Sequence, residues 1–236
     1  MADISNLEGI DEFKKYFLEV MKKQLLDTFV DKTSREGNVN KTQAIRNIKS
    51  AFSNDKLVLV LGAGISMQFG IPDWETLLQK LMVKTIDEKL SHPDIIANLF
   101  NYTFSPSPLI AARYLQKHFE SERLSFEKEV KNVLYSKYKQ DTSSELVNEI
   151  VNLCVAPGKS PNLNSIITYN YDDIIEQKIS ELNLPIPYKS IYGTGMLPEN
   201  DELPIFHVHG FLPRKGGVGR NNMITLGESM YHEQYN

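Results

Sequence analysis

One cysteine, Cys154, and one tryptophan, Trp74, occur in 236 residues. A lone thiol excludes an internal disulfide and any site built from clustered thiolates. No apolar run approaches the roughly 20 residues that a bilayer-spanning helix needs. The first residues, MADISNLEGIDEF, are acidic and lack the basic and apolar regions of a signal peptide. These absences together predict a cytoplasmic protein. Excess positive charge is missing as well. The balance of −4 argues against a partner nucleic acid held by phosphate neutralisation. No repeat or low-complexity tract is apparent.

What the chain does have is ordinary globular chemistry, 41% hydrophobic and 24% charged residues, enough for a sizeable core. Residues 11–31 carry Phe13, Phe17, Val20, Met21, Leu25 and Phe29 at helical spacing, a stripe for core packing or a subunit contact. A polar loop over 34–41 and a short helix over 41–52 lead into the stretch KLVLVLGAGISMQFGIPDW, residues 56–74. Its continuous Leu/Val run, 57–61, reads as a strand buried on both faces of a parallel sheet. The run breaks at Gly62-Ala63-Gly64, where small residues allow a tight turn and the close approach of a ligand. Backbone N–H groups left free at such a turn make a seat for phosphate.

After Trp74 the apolar stripes are helical, with Leu77, Leu78, Leu81, Met82 and Ile86 on one face. Segments 95–100, 109–119, 126–138 and 146–154 continue the pattern, which predicts a helical module inserted over about 85–158. Gly158-Lys159-Ser160 imitates the end of a P-loop, but Leu153 stands where the first glycine belongs and no strand precedes it. Strands resume at Ser165–Thr168, which ends in Tyr169-Asn170-Tyr171-Asp172-Asp173 before a helix over 172–182. Further strands are expected at 189–192, at 205–208 running into His209-Gly210, and at 223–226 before a short helix from Glu228. The expected fold is α/β, a Rossmann-like parallel sheet with flanking helices and an inserted helical module. An N-terminal helical segment, 1–54, precedes the domain at 55–236.

In open parallel sheets the ligand lies at the carboxyl ends of the strands. Three such ends, GAGIS, TYNYDD and HVHG, carry small or polar groups that a plain core sheet does not need. Each has a bland reading beside the functional one. GAGIS lacks the third glycine of the dinucleotide fingerprint, with Met67 in that place, and a strand–helix turn without ligand accounts for it. Trp74 suits a core or a lid. Asn170 suits a helix cap, and Asp172 and Asp173 suit the helix dipole. His207 and His209, two apart on a strand, share a face. His207 reads as a hydrogen-bonded interior histidine, and His209, at the strand tip, as a base near neutrality. No cluster with metal-ligand spacing stands out.

GAGIS-x3-GIPDW, then TYNYD, then HVHG, in this order, resembles the sirtuin catalytic domain over residues 55–75 and 160–230. It is most similar to the prokaryotic sirtuin-like domains of anti-phage defence systems, which degrade NAD. LGESMY, 226–231, also resembles a segment of that group. The resemblance implies that Gly62, Ala63, Gly64 and Ser66 line the NAD phosphates and the nearby ribose. It implies that Asn170 contacts the nicotinamide ribose and orients the attacking water, and that Asp172 binds the carboxamide. His209 then acts near the ribose hydroxyls, and Asp73 and Trp74 belong to the mobile loop beside nicotinamide.

Protein-deacylating sirtuins carry a zinc module with two Cys-x-x-Cys pairs, which one cysteine cannot build. The resemblance therefore implies an NAD hydrolase with NAD as substrate and no zinc, active in abortive infection. It also implies a homo-oligomer with a defence-system or phage protein as partner. A non-catalytic module that senses NAD or an ADP-ribose derivative, or an interaction scaffold, is the alternative. The family's closing strand and Gly-Ser/Tyr-Ser…Asp turn are not found before Asn236. The expected domain is thus truncated at its C-terminus.

Overall fold

The computed structural model describes residues 40–85, 108–155, 161–182, 186–219 and 224–226. The predicted helix at 11–31, the segment 95–100, the P-loop-like residues 158–160 and the helix from Glu228 lie outside them. Two compact units are distinguished, 1–47 and 48–236. The division falls within the first described helix, α1 (Lys41–Ser53).

Strand β1 (Val58–Leu61) runs into two successive 3-10 turns, Ala63–Ile65 and Met67–Phe69, before helix α2 (Trp74–Thr85). Helices α3 (Pro108–Ser121), α4 (Phe126–Leu134) and α5 (Glu145–Asn152) follow. Among the described residues, then, only helix and turn separate β1 from β2 (Ser165–Thr168). Helix α6 (Ile174–Glu181), β3 (Tyr188–Ile191) and β4 (Leu203–His207) complete the series. The four strands form one all-parallel sheet in the order β1-β2-β4-β3, an α/β Rossmann-like arrangement. Of the expected strand at 223–226, the described residues 224–226 contribute one antiparallel bridge, between Gly210 and Ile224.

Local chemistry explains the helix starts. Ser125 and Ser144 cap α4 and α5, their hydroxyls accepting from the amides of Lys128 and Val147. Asp73 caps α2 in the same way, its Oδ1 2.9 Å from the Thr76 amide. Helix α4 ends at Leu134, short of the predicted 138, and Tyr135 turns out of the helix to bond elsewhere.

Alternation along the strands puts Leu61, Ile166, Leu203 and Ile205 into a core shared with Phe69, Leu81, Leu115, Val130, Val147 and Ile179. The other face differs from the expectation for the Leu57–Leu61 run. Val60 is 63% and Val58 39% exposed, because β1 is an edge strand and the core lies on the opposite face. The inserted helices are not a separate layer, since their apolar stripes belong to the same core as the sheet.

Candidate functional site

The carboxyl ends of β1, β2 and β4 lie side by side. Leu61 pairs with Thr168, and Thr168 pairs with His207. The GAGIS turn, the TYNYDD segment and the HVHG segment therefore leave the sheet as neighbours, although more than a hundred residues separate the first two.

The first turn stays open at its start. Gly62 is extended, with φ −133°, and its carbonyl accepts from Ile65, while Ala63 accepts from Ser66. The amides of Ala63 and Gly64, at the beginning of a 3-10 turn, have no carbonyl partner within it. Gly62, Ala63 and Gly64 are all exposed. Gly62 and Gly64 do not need to be glycine for the fold. Neither has positive φ, and a Cβ at either would meet nothing within 4 Å. Gly70 is the opposite case. Its φ is +82°, and a Cβ there would run into the Lys137 carbonyl. The Lys139 amide donates to the Phe69 carbonyl at 2.8 Å, so the GIPD turn is seated against the α4–α5 connection.

Asn170 is buried, and its Nδ2 donates to the Gly62 carbonyl and to the Ser66 hydroxyl, each at 3.1 Å. The carbonyl only accepts, which fixes the nitrogen on this side and turns Oδ1 away from it. The hydroxyl of Ser66, fully buried, donates in turn to Asp172 Oδ1 at 2.9 Å. The Ile174 amide, at the start of α6, donates to the same oxygen at 3.2 Å. Asn170, Ser66 and Asp172 thus form one directional chain, in which each bond polarises the next. Burial pushes the Asp172 carboxyl up to about 6. The hydrogen bonds from Ser66 and Ile174 oppose this, Glu176 adds to it, and His207 lowers it.

His209 reaches the same strand tips. It is half-buried, its ring edge-to-face with Tyr169 at 5.1 Å between centroids. Burial lowers its pKa, which favours the neutral imidazole. Its carbonyl accepts from Thr225 at 2.8 Å. His207 is an interior histidine, as expected, bonded to the Asn170 carbonyl and to Glu176. Asp73 and Trp74 occupy the cap and first residue of α2, and Trp74 packs partly against the core.

Several contacts of this region do not follow from the sequence, which reads Asp173 only as a carboxylate suited to the helix dipole. Asp173 stands at the N-cap of α6 without a capping bond. Its carboxylate instead accepts from Gln177 Nε2 and the Arg214 amide, and lies 2.9 Å from the Tyr135 hydroxyl. That hydroxyl also lies 2.8 Å from the Leu212 carbonyl, and its one proton serves the two acceptors. Burial first, then the charges of Asp173 and Asp172, raise the Tyr135 phenol far above its ordinary value. Glu176 had a signal, a carboxylate set among Ile174, Ile175 and Ile179. Its partner had one too, since His207 ends the inward series Leu203, Ile205. Tyr135 had none, because only the folded chain brings the end of α4 to the start of α6.

Among the described residues no group of three or more His, Cys, Asp or Glu side chains is arranged to hold a metal ion. No helix among them is long and apolar enough to cross a membrane. Neither a family model nor a curated protein sequence matches the chain.

Proposed function

We propose that the chain is an NAD hydrolase that cleaves the nicotinamide N-glycosidic bond to give nicotinamide and ADP-ribose. One observation carries the reading. Asn170 is bonded to both the Gly62 carbonyl and the Ser66 hydroxyl, a link that supports reading the glycine turn and the Asn-bearing strand tip as one site. Glycines that the fold does not require, at an exposed turn with free amides, suit the close approach of a diphosphate.

In this reading Gly62, Ala63, Gly64 and Ser66 hold the phosphates and adjoining ribose. Asn170 turns Oδ1 toward the water that attacks the ribosyl carbon. Asp172, with Oδ1 already engaged by Ser66, offers Oδ2 to the nicotinamide carboxamide. His209, largely neutral at pH 7, accepts a proton near the ribose hydroxyls. The carbon–nitrogen bond breaks with its electron pair going to the pyridinium nitrogen, so nicotinamide leaves neutral. The oxocarbenium-like centre takes up water, which gives one proton to the base or solvent.

The setting we propose is cytoplasmic anti-phage defence by abortive infection, in a homo-oligomer answering to a defence-system or phage protein. Purified protein is incubated with NAD and nicotinamide release is followed. Asn170→Ala is expected to slow it by about two orders of magnitude or more. Equal rates for the two proteins remove the reading. A sensing module is favoured by one feature, that both Nδ2 hydrogens of Asn170 are already engaged. NAD binding by calorimetry without product selects it.

A further inference from the structure

His207 and Glu176 form a buried pair that apolar packing does not require. Glu176 lies on the buried face of α6, and its Oε1 is 2.7 Å from His207 Nε2. Ser190 Oγ donates to the same oxygen at 2.8 Å. Oε2 is buried and has no partner among the described residues. An incompletely satisfied buried pair of this kind adds little stability over an apolar pair of similar size.

The other ring nitrogen shows what the pair accomplishes. His207 Nδ1 lies 3.1 Å from the Asn170 carbonyl oxygen. That oxygen only accepts, so Nδ1 carries a proton, and a second proton lies between Nε2 and Oε1. The Phe211 ring, 4.2 Å from the imidazole between centroids, fixes the ring's plane. On the other side of the same residue, the Asn170 amide donates to Thr168 Oγ1 at 3.1 Å. Thr168 and His207 are register partners on β2 and β4. Two paired strand ends therefore grip Asn170, one by its N–H and the other by its C=O.

We propose that His207, oriented by Glu176, is a positioning residue that fixes the Asn170–Tyr171 peptide and thereby the Asn170 carboxamide. The catalytic consequence rests on the NAD-hydrolase reading; the positioning itself does not. Two substitutions separate positioning from simple core filling. His207→Asn places an amide N–H near the Nδ1 position and keeps the bond to Asn170. His207→Gln reaches the Nε2 position and keeps the bond to Glu176, but loses the one to Asn170.

The side-chain amide resonances of Asn170 are followed in 15N-labelled protein, with Asn170→Asp assigning them, alongside kcat and KM for NAD. His207→Asn is expected to hold the amide resonances near their wild-type positions, with kcat within about threefold. His207→Gln is expected to move them toward the shifts of a free amide and to lower kcat about tenfold or more, with KM little changed. If His207→Gln leaves both resonances and kcat as in the wild type, the positioning role is overturned. If the wild type does not hydrolyse NAD, the hydrolase reading falls and the resonances alone decide the positioning. Should either single variant not fold, the apolar pair Glu176→Leu/His207→Leu takes its place. The expectation is again displaced Asn170 resonances, and unchanged ones overturn the role.

Discussion

Asn170 and Ser66, 104 positions apart in the chain, are joined by a 3.1 Å hydrogen bond beneath the glycine turn. The bond needs the carboxyl ends of β1 and β2 to be adjacent, which the direct parallel pairing of the two strands provides. Ser66 is both acceptor and donor there, since its hydroxyl accepts a hydrogen bond from Asn170 Nδ2 and donates one to Asp172 Oδ1. The turn is thus tied to the strand tip by a side chain that is fully buried, and its removal has two separate effects.

Ser66→Ala leaves one Asn170 N–H without its partner in a buried place and Asp172 Oδ1 with the Ile174 amide as its remaining donor. We expect a loss of about 1–3 kcal/mol, read as a lower urea midpoint with an unchanged slope. The Asp172 carboxyl loses a bond that holds its pKa down, so it titrates higher still than in the wild type. An unchanged midpoint would show that the bond adds nothing to stability.

How far the sequence foretold this arrangement depends on the range of the interaction concerned. Strand ends and turns are set by local signals, such as the Leu57–Leu61 run, Gly62-Ala63-Gly64 and the polar residues after Thr168, and these are found where expected. Buried and open faces are not local. Val60 is as apolar as Leu61, yet only pairing order and helix placement decide that Val60 is exposed and Leu61 buried. Asn170 by itself reads as well as a helix cap, and it stands out only in combination with the glycine turn and the HVHG strand end. His207 reads in the sequence as a hydrogen-bonded interior histidine, and Glu176, though set among isoleucines, is not singled out there. Their meaning comes from pairing, which brings an inward position of β4 against α6 and the Asn170 carbonyl. Tyr135 and Asp173 are joined only in three dimensions.

Asp172 makes stability depend on pH in a direction unusual for a carboxylate. Its folded-state pKa is raised from 3.8 to about 6, chiefly by burial. Between these values the folded chain binds more protons than the unfolded one, so this group's contribution falls as pH rises through the window. The full rise corresponds to about 3 kcal/mol lost by pH 7 relative to pH below 4. Asp172→Asn keeps an acceptor for Ser66 and Ile174 and carries no charge. We expect the variant to gain stability relative to wild type as pH rises from 4 to 7, measured by chemical denaturation at each pH. Parallel pH profiles for the two proteins would mean that Asp172 is not held up by burial. If Asp172 contacts the carboxamide as proposed, the same variant is expected to bind NAD more weakly.

The glycines of the opening turn provide the sharpest separation of folding from ligand binding. Gly62 and Gly64 have ordinary backbone angles and open space where a Cβ would stand, whereas Gly70 has φ +82° and a backbone carbonyl in the way. Alanine at 70 is strained in conformation and collides with the Lys137 peptide, so we expect a loss of more than about 1 kcal/mol. Alanine at 62 or 64 reduces the freedom of the unfolded chain at no steric cost, so the melting temperature should hold or rise slightly. If the turn seats a diphosphate by close backbone approach, those two stable variants should bind NAD about tenfold or more weakly, because each new methyl projects into the ligand's space. Calorimetric titration with NAD, beside thermal denaturation of the same samples, decides the matter. Stable Gly62→Ala and Gly64→Ala proteins that bind NAD as the wild type does would detach the turn from the ligand.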